Sequence, residues 1–188
     1  MCHAFVPDPL ARYAREYAGS LLDGRTADLA KAEAAARQAE AASSALRRPR
    51  PEMLVAAAQL HAIGKAPGLV RTGFVPVDGA MGLMAMGWPD PVVSLVGHQT
   101  QSRLISQTLG AGPQLALIPR IQGWPSDILD YAILTAGTDG NPRTLEEGLE
   151  AFRQEQAADS RIPQKLCEAR LSRLARAGYR VRDALTRE

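Results

Sequence analysis

Residues 51–65, PEMLVAAAQLHAIGK, form the most apolar helical segment of this chain. Pro51 suits the first turn of a helix, and Gly64, followed by Pro67, predicts its end. Between Glu52 and Ile63 the segment is apolar on nearly every side, which is typical of a helix surrounded by other helices. The sequence therefore predicts a helix at the centre of a bundle.

Helical patterns continue from this segment in both directions. The 32 Ala residues favour helix over strand, and no stretch keeps a strand-like alternation. We therefore predict an all-α chain of about eight helices in one domain, 1–188. The predicted helices are Pro9 to about Gly24, Thr26 to Leu46, Glu52 to Ile63, Gly79 to Met86, Pro89 to Leu109 with a break near Thr100, Ser126 to Ala136, Thr144 to Gln156, and about 160–178.

Composition and charge exclude several classes of protein. Hydrophobic residues make up 46% and charged residues 22%, which excludes a wholly disordered chain. The net charge is +2, and the 19 Arg and 3 Lys are scattered along the sequence. This balance predicts neither a nucleic-acid nor a membrane-surface partner. No apolar run approaches the roughly 18 residues that a membrane span needs.

Cysteine usage and the first residues both favour the cytoplasm. Cys2 and Cys167 cannot form a disulfide framework and show no metal-binding spacing. The opening MCHAFVPDP lacks the basic-then-apolar order of a signal peptide. We therefore expect a cytoplasmic protein.

The second predicted helix, Thr26 to Leu46, has a weak apolar face. Its large apolar residues are Leu29 and Leu46, and the rest is mostly Ala, Glu and Gln. Such a helix is expected to be peripheral or to pack against a partner through small residues. This pattern is compatible with a homodimer.

Several segments of the chain match motifs of a known protein family. His61-Ala-Ile-Gly-Lys65, with Ala62 in place of Asp, is similar to the signature LHDIGK of the HD-domain superfamily of metal-dependent phosphohydrolases. Thr72 to Ala80, TGFVPVDGA, resembles the TGFHPLDGA of bacterial members. Further matches are Gly87-Trp-Pro89, Leu95-Val-Gly-His-Gln-Thr100 and the helix Asp127 to Gly140. The resemblance implies an HD-like helical core over about 10–156.

The resemblance also implies seven metal-binding positions, most of which are substituted in this chain. His61 and His98 keep a metal-binding residue, whereas both carboxylate positions are apolar. The first His falls on Tyr13, the second on His61, the paired Asp on Ala62, the auxiliary His on Val75, the His-His pair on His98 and Gln99, and the closing Asp on Ile133.

Ligand chemistry then argues against the family's metal. HD sites hold metal ions with imidazoles and carboxylates, and the metal activates a bound water. Two imidazoles without a carboxylate leave the charge of a divalent cation uncompensated in an apolar cleft. We therefore expect no cofactor and interpret the chain as a degenerate HD-domain protein, a ligand-binding or regulatory protein rather than a phosphohydrolase.

The helix geometry of such a bundle should leave a pocket where the metal site stood. Polar side chains predicted around it suit a small polar or anionic ligand, with Ala62, Val75 and Ile133 as an apolar wall. The expected lining is Tyr13, His61, His98 and Gln99, with Lys65 and Arg71 near the mouth.

Three alternatives remain open from the sequence. A rearranged metal site of His61, His98, Asp130 and Glu16 would serve a phosphohydrolase or an oxygenase that binds a divalent metal. A metal-free enzyme would use His61 or His98 as acid or base. In the simplest case, His61 is a core residue that hydrogen-bonds a backbone carbonyl.

Overall fold

The computed structural model describes residues 9–47 and 50–187, which form nine α-helices and no β-strand. The predicted all-α fold is confirmed. None of the helices in these residues has both the length and the apolar character needed to cross a membrane. The helices are α1 (Pro9–Leu21), α2 (Thr26–Ala45), α3 (Pro51–Leu60), α4 (Val75–Ala85), α5 (Asp90–His98), α6 (Gly112–Ala116), α7 (Trp124–Leu134), α8 (Leu145–Ala157) and α9 (Gln164–Leu185).

The apolar helix α3 lies at the centre, as its sequence predicts. Leu54, Ala57 and Leu60 are at most 2% exposed. The helix packs against α1, α2, α5 and α7. It ends at Leu60, and a short 3₁₀ turn, Ile63–Lys65, follows the bend at His61 and Ala62. This bend places His61 at the edge of the core.

Helix α2 is not peripheral, so the first of the two expectations for it is wrong, whereas packing through small residues is present within the chain itself. Six of its ten alanines are buried, and the helix packs against α3 and α7 of the same chain, with Ala32, Ala35 and Ala39 at 0% exposure. Small side chains allow close approach of helix backbones, which explains a buried face without large apolar residues. The feature that suggested a homodimer is therefore accounted for within one chain.

Other element bounds differ from the sequence prediction. The break predicted near Thr100 is present: helix α5 ends at His98, because Thr100 and Gln101 adopt the left-handed conformation, and no α-helix resumes within the described residues 99–109. Helix α9 runs from Gln164 to Leu185, beyond the expected end near residue 178. Helix α6 lies in a segment predicted as loop. Cys2 lies outside the described residues.

Candidate functional site

A cavity of about 260 Å³ lies where α3 ends. His61, Lys65 and Gln99, predicted as ligand-binding residues, line it. The predicted apolar wall lines it as well, because Ala62, Val75 and Ile133 all face this space. Side chains that the sequence did not single out complete the lining, chiefly Lys31, Phe74, Thr100, Phe152, Glu155 and Arg170.

A close contact between two backbones joins two of the segments that line the cavity. A Cβ added to Gly64 would stand 2.1 Å from the carbonyl oxygen of Val75, and one added to Gly79 would stand 3.2 Å from the amide nitrogen of Gly64. The backbone of Gly64, in the turn after His61, therefore lies directly against the backbone of α4 at Val75 and Gly79. This contact joins the HAIGK segment to the TGFVPVDGA segment. Both segments carry the resemblance, but the sequence alone does not show that they lie next to each other.

Asp78 holds the loop that precedes α4. Its carboxylate accepts hydrogen bonds from the amides of Thr72 and Gly73 and from the Thr72 hydroxyl, at 2.8–2.9 Å. The side chain is 1% exposed. The loop therefore brings Gly73 and Phe74 to the cavity wall in one fixed conformation.

His61 presents one ring nitrogen to the cavity. Its Nδ1–H donates to the carbonyl of Ala58 at 2.8 Å, which leaves Nε2 as an unprotonated acceptor. Burial, followed by the charge of Lys31, lowers the pKa of the ring to about 4. The imidazole is therefore neutral at pH 7 and suited to accept a hydrogen bond. The hydrogen bond to Ala58 is also the one expected if His61 is simply a core residue.

Two lysines lie at the cavity, and their surroundings differ. Lys65 Nζ pairs with Asp28 Oδ1 at 2.5 Å. Lys31 makes no hydrogen bond or ion pair with any described residue, and burial lowers its pKa although Glu155 opposes that shift. Sequence reasoning missed Lys31, because its helix carries no recognisable motif. The unpaired cation of the cavity is therefore Lys31.

The segment after α5 has an unusual backbone. Thr100 (φ 48°) and Gln101 (φ 56°) are consecutive left-handed residues with side chains, a conformation that costs about 1–2 kcal/mol per residue. Asp130 compensates by accepting hydrogen bonds from the Thr100 amide at 2.5 Å and the Gln101 side chain at 3.1 Å. Gln99 is positioned by the same segment and donates to the His61 carbonyl at 2.8 Å.

Arg170 of α9 holds this segment from the other side. Its guanidinium donates to the Thr100 carbonyl at 2.6 Å, to the Thr100 hydroxyl at 2.9 Å and to Gln156 at 3.2 Å. It also lies over the ring of Phe152, 4.8 Å from the centroid. Asp130 is 0% and Arg170 6% exposed. The bottom of the cavity is thus a buried polar network.

Burial dominates the electrostatics of this network. It raises the pKa of Asp130 to about 7, an effect that Asp127 reinforces and the Thr100 amide and Arg170 oppose. It lowers the pKa of Arg170 to about 10, so the guanidinium stays charged. Asp130 is therefore a structural group that changes charge near neutral pH.

Three predicted site residues do not line this cavity, so the expected convergence is wrong for them. His98 bonds the carbonyl of Ile118 at 3.1 Å through Nε2, and its Nδ1 is buried without a partner. Tyr13 is 53% exposed and stacks on Trp88, with ring centroids 5.0 Å apart. Arg71 is exposed and bonds the carbonyl of Val70. The bend after His98 reverses the chain, so His98 and Gln99 face different surroundings.

The residues do not fit the metal centre of the HD family. Among residues 9–47 and 50–187, no three His, Cys, Asp or Glu side chains are grouped so that they could hold a metal ion. For the rearranged site, Glu16 is exposed on α1, His98 bonds Ile118, and Asp130 is occupied by Thr100 and Gln101. The structure therefore does not bring those four residues together.

Comparison with known proteins adds no relative. A scan against protein-family models found no match, and searches of curated proteins and of solved structures found none either. The relationship to HD domains therefore stays a prediction from the quoted segments.

Carboxylates introduced at the two positions where the resemblance implies Asp should create metal binding. The double variant Ala62→Asp with Ile133→Asp places two carboxylates in the cavity that His61 Nε2 faces, which makes three ligands. We expect Ni²⁺ or Zn²⁺ to raise the melting temperature of this variant and not that of the unmodified chain. Adding His61→Gln should remove the gain. A folded double variant without metal binding would show that Ala62 and Ile133 do not correspond to the family's Asp positions.

Proposed function

We propose that this chain is a degenerate HD-domain protein that binds a small organic acid in the His61 cavity and does not hydrolyse phosphate esters. The observation that carries the proposal is the ammonium of Lys31, which makes no hydrogen bond or ion pair with a described residue and lies at the wall of a cavity lined by both apolar and polar side chains. A cation without a partner in such a place is costly, and an anionic ligand group relieves that cost.

The cavity also suits the apolar part of such an organic acid. Phe74, Ile105, Leu109, Ile133 and Phe152 supply apolar surface for a hydrocarbon portion. The volume of about 260 Å³ lies near the lower limit for ligand sites, which favours a molecule with one ring or a short chain. Because His61 Nε2 accepts a hydrogen bond, the best ligand also carries a hydroxyl or N–H donor.

An acid–base role is less well supported. A general base works best when its pKa is close to the working pH, whereas the pKa of His61 is about 4. The neutral ring is therefore better suited to position a ligand than to remove a proton. His98 does not line the cavity and gives no second group.

A cytoplasmic location without nucleic-acid or membrane partners fits this proposal. Cys167 is a free thiol, as expected in a reducing compartment. The net charge of +2 gives no reason to expect attraction to a nucleic acid or to acidic lipids.

Three matched probes test the proposal by isothermal titration. 3-Hydroxybenzoate has both the charge and the donor, benzoate lacks the donor, and 3-hydroxybenzamide lacks the charge. We expect 3-hydroxybenzoate to bind best. Lys31→Gln should weaken its binding at least about tenfold, the effect of losing one charged hydrogen bond, and should affect the amide by less than about threefold.

Lys65→Gln is the matched control, because this lysine lies at the same wall but is already paired with Asp28. It should change 3-hydroxybenzoate binding by less than about threefold. Equal binding of acid and amide would refute the proposal. Elemental analysis that finds one metal per chain, together with phosphatase activity lost in His61→Gln, would favour the metal-dependent alternative.

A further inference from the structure

A second cleft, separate from the His61 cavity, is lined by arginines. It has a volume of about 560 Å³ and shares no lining residue with that cavity. Arg173, Arg176 and Arg180 line it from α9, and Arg120 lines it from the loop before α7. The scattered arginines of the sequence thus form a local patch, contrary to expectation.

Helix periodicity explains how α9 contributes three of these side chains. Positions 173, 176 and 180 follow the i, i+3, i+7 pattern, which places them on one face of the helix. One turn before and one turn after, the same face carries Ala169 and Ala184. The basic face is therefore about 10 Å long, from the rise of 1.5 Å per residue.

Most of this positive charge has no partner in the described chain. Arg180 pairs with Asp127, its Nη2 lying 2.7 Å from Oδ2. Arg120, Arg173 and Arg176 make no hydrogen bond or ion pair with a described residue. Three unpaired guanidinium groups around one concave surface repel one another, and a bound polyanion would relieve that repulsion.

We propose that this cleft binds the phosphate groups of a small organic polyphosphate, such as a nucleoside di- or triphosphate. Guanidinium groups bind phosphate oxygens through paired hydrogen bonds, and several converging arginines suit several adjacent phosphates. The inference does not depend on the function proposed for the His61 cavity.

The shape and lining of the cleft favour a small ligand over a nucleic acid. A basic face about 10 Å long matches a short polyphosphate, whereas a nucleic-acid strand needs a positive surface that continues along its backbone. None of the described residues that line the cleft is aromatic, so they offer bases no ring to stack on. Recognition therefore rests on phosphate, and inorganic tripolyphosphate is a sufficient probe.

Titration calorimetry with sodium tripolyphosphate at low ionic strength tests the proposal. We expect one binding site per chain and a Kd that rises steeply with salt. Arg173→Gln with Arg176→Gln should weaken binding at least about tenfold. The control Arg12→Gln with Lys165→Gln removes the same charge at exposed positions outside the cleft and should change Kd by less than about twofold.

Two further variants separate the possible outcomes. Arg176→Lys keeps the charge but loses paired hydrogen bonds, so it should weaken binding about threefold even if the double variant does not fold. Lys31→Gln should leave tripolyphosphate binding unchanged, because Lys31 lines the other cavity. The proposal is overturned by no binding, by equal weakening in the control, or by a twelve-nucleotide single strand that binds more tightly than tripolyphosphate.

Discussion

Replacing Arg170 by methionine is expected to lower the free energy of unfolding by about 3–5 kcal/mol at pH 8. Methionine fills a similar volume but cannot donate a hydrogen bond. The variant leaves the carbonyl and hydroxyl of Thr100 without their donors and removes the cation that offsets the charge of Asp130. The left-handed backbone at Thr100 and Gln101 would then lose one of its two supports. Urea unfolding followed by circular dichroism measures the loss.

The effect of Arg170→Met should depend on pH, because Asp130 titrates. The pKa of Asp130 is about 7 in the folded chain, against an ordinary value of 3.8. A raised carboxyl pKa means that folding takes up a proton, so this group's contribution to stability falls as pH rises from about 4 to about 7. Without Arg170 the pKa rises further and the fall continues above pH 7. The loss should therefore be larger at pH 8.5 than at pH 6.

Arg182→Met on the same helix is the matched control. Arg182 is partly exposed and pairs with Glu146 at the surface, so its loss should cost less than about 1 kcal/mol. A loss below about 1 kcal/mol for Arg170→Met, or the same loss at both pH values, would contradict the role given to this network.

The fold was largely predictable because its signals are local. The apolar run of α3 and the small-residue content of α2 are visible in short windows of sequence. Thr144 followed three residues later by Glu147 has the capping-box pattern, and these two residues form a capping box at the start of α8. The sequence predicted the break near Thr100 but not its geometry, because two non-glycine residues occupy a left-handed conformation that distant Asp130 and Arg170 stabilise.

The cavity was only partly predictable, because its members come from distant parts of the chain. His61 and Gln99 belong to segments that suggested a site, and both line it. Lys31 is one of several polar residues on α2. Only the packed structure shows that it lines the cavity and that no described residue pairs with it. His98 was misplaced because resemblance carries the residue type but not the direction in which a side chain next to a bend points.

The arginine cleft at the surface was also only partly predictable from the sequence. The spacing of Arg173, Arg176 and Arg180 is visible in the sequence once a helix is assumed. The position of Arg120 beside them is not, since it depends on how the loop before α7 lies against α9. A net charge near zero conceals such a patch, because charges elsewhere on the chain balance it.

Gly64→Ala is expected to destabilise the chain by about 3 kcal/mol, at the upper end of the usual cost of overpacking. The added Cβ would stand 2.1 Å from the Val75 carbonyl oxygen and 2.8 Å from the Gly79 amide nitrogen. Both are backbone atoms, so no side chain can rotate away and α4 itself must move. For a chain of this size, we expect a melting temperature about 6–12 °C lower.

Gly19→Ala provides the control, because it makes the same chemical change where there is room. Gly19 lies in α1, and a Cβ there would meet no atom within 4 Å. The substitution should stabilise the chain by up to about 1 kcal/mol, since alanine favours the helix. If both substitutions gave the same shift in melting temperature, the contact between Gly64 and α4 would not be a close one. The loop from Thr72 to Phe74 would then need another explanation for its position at the cavity, because that contact is what brings α4 against the turn after His61.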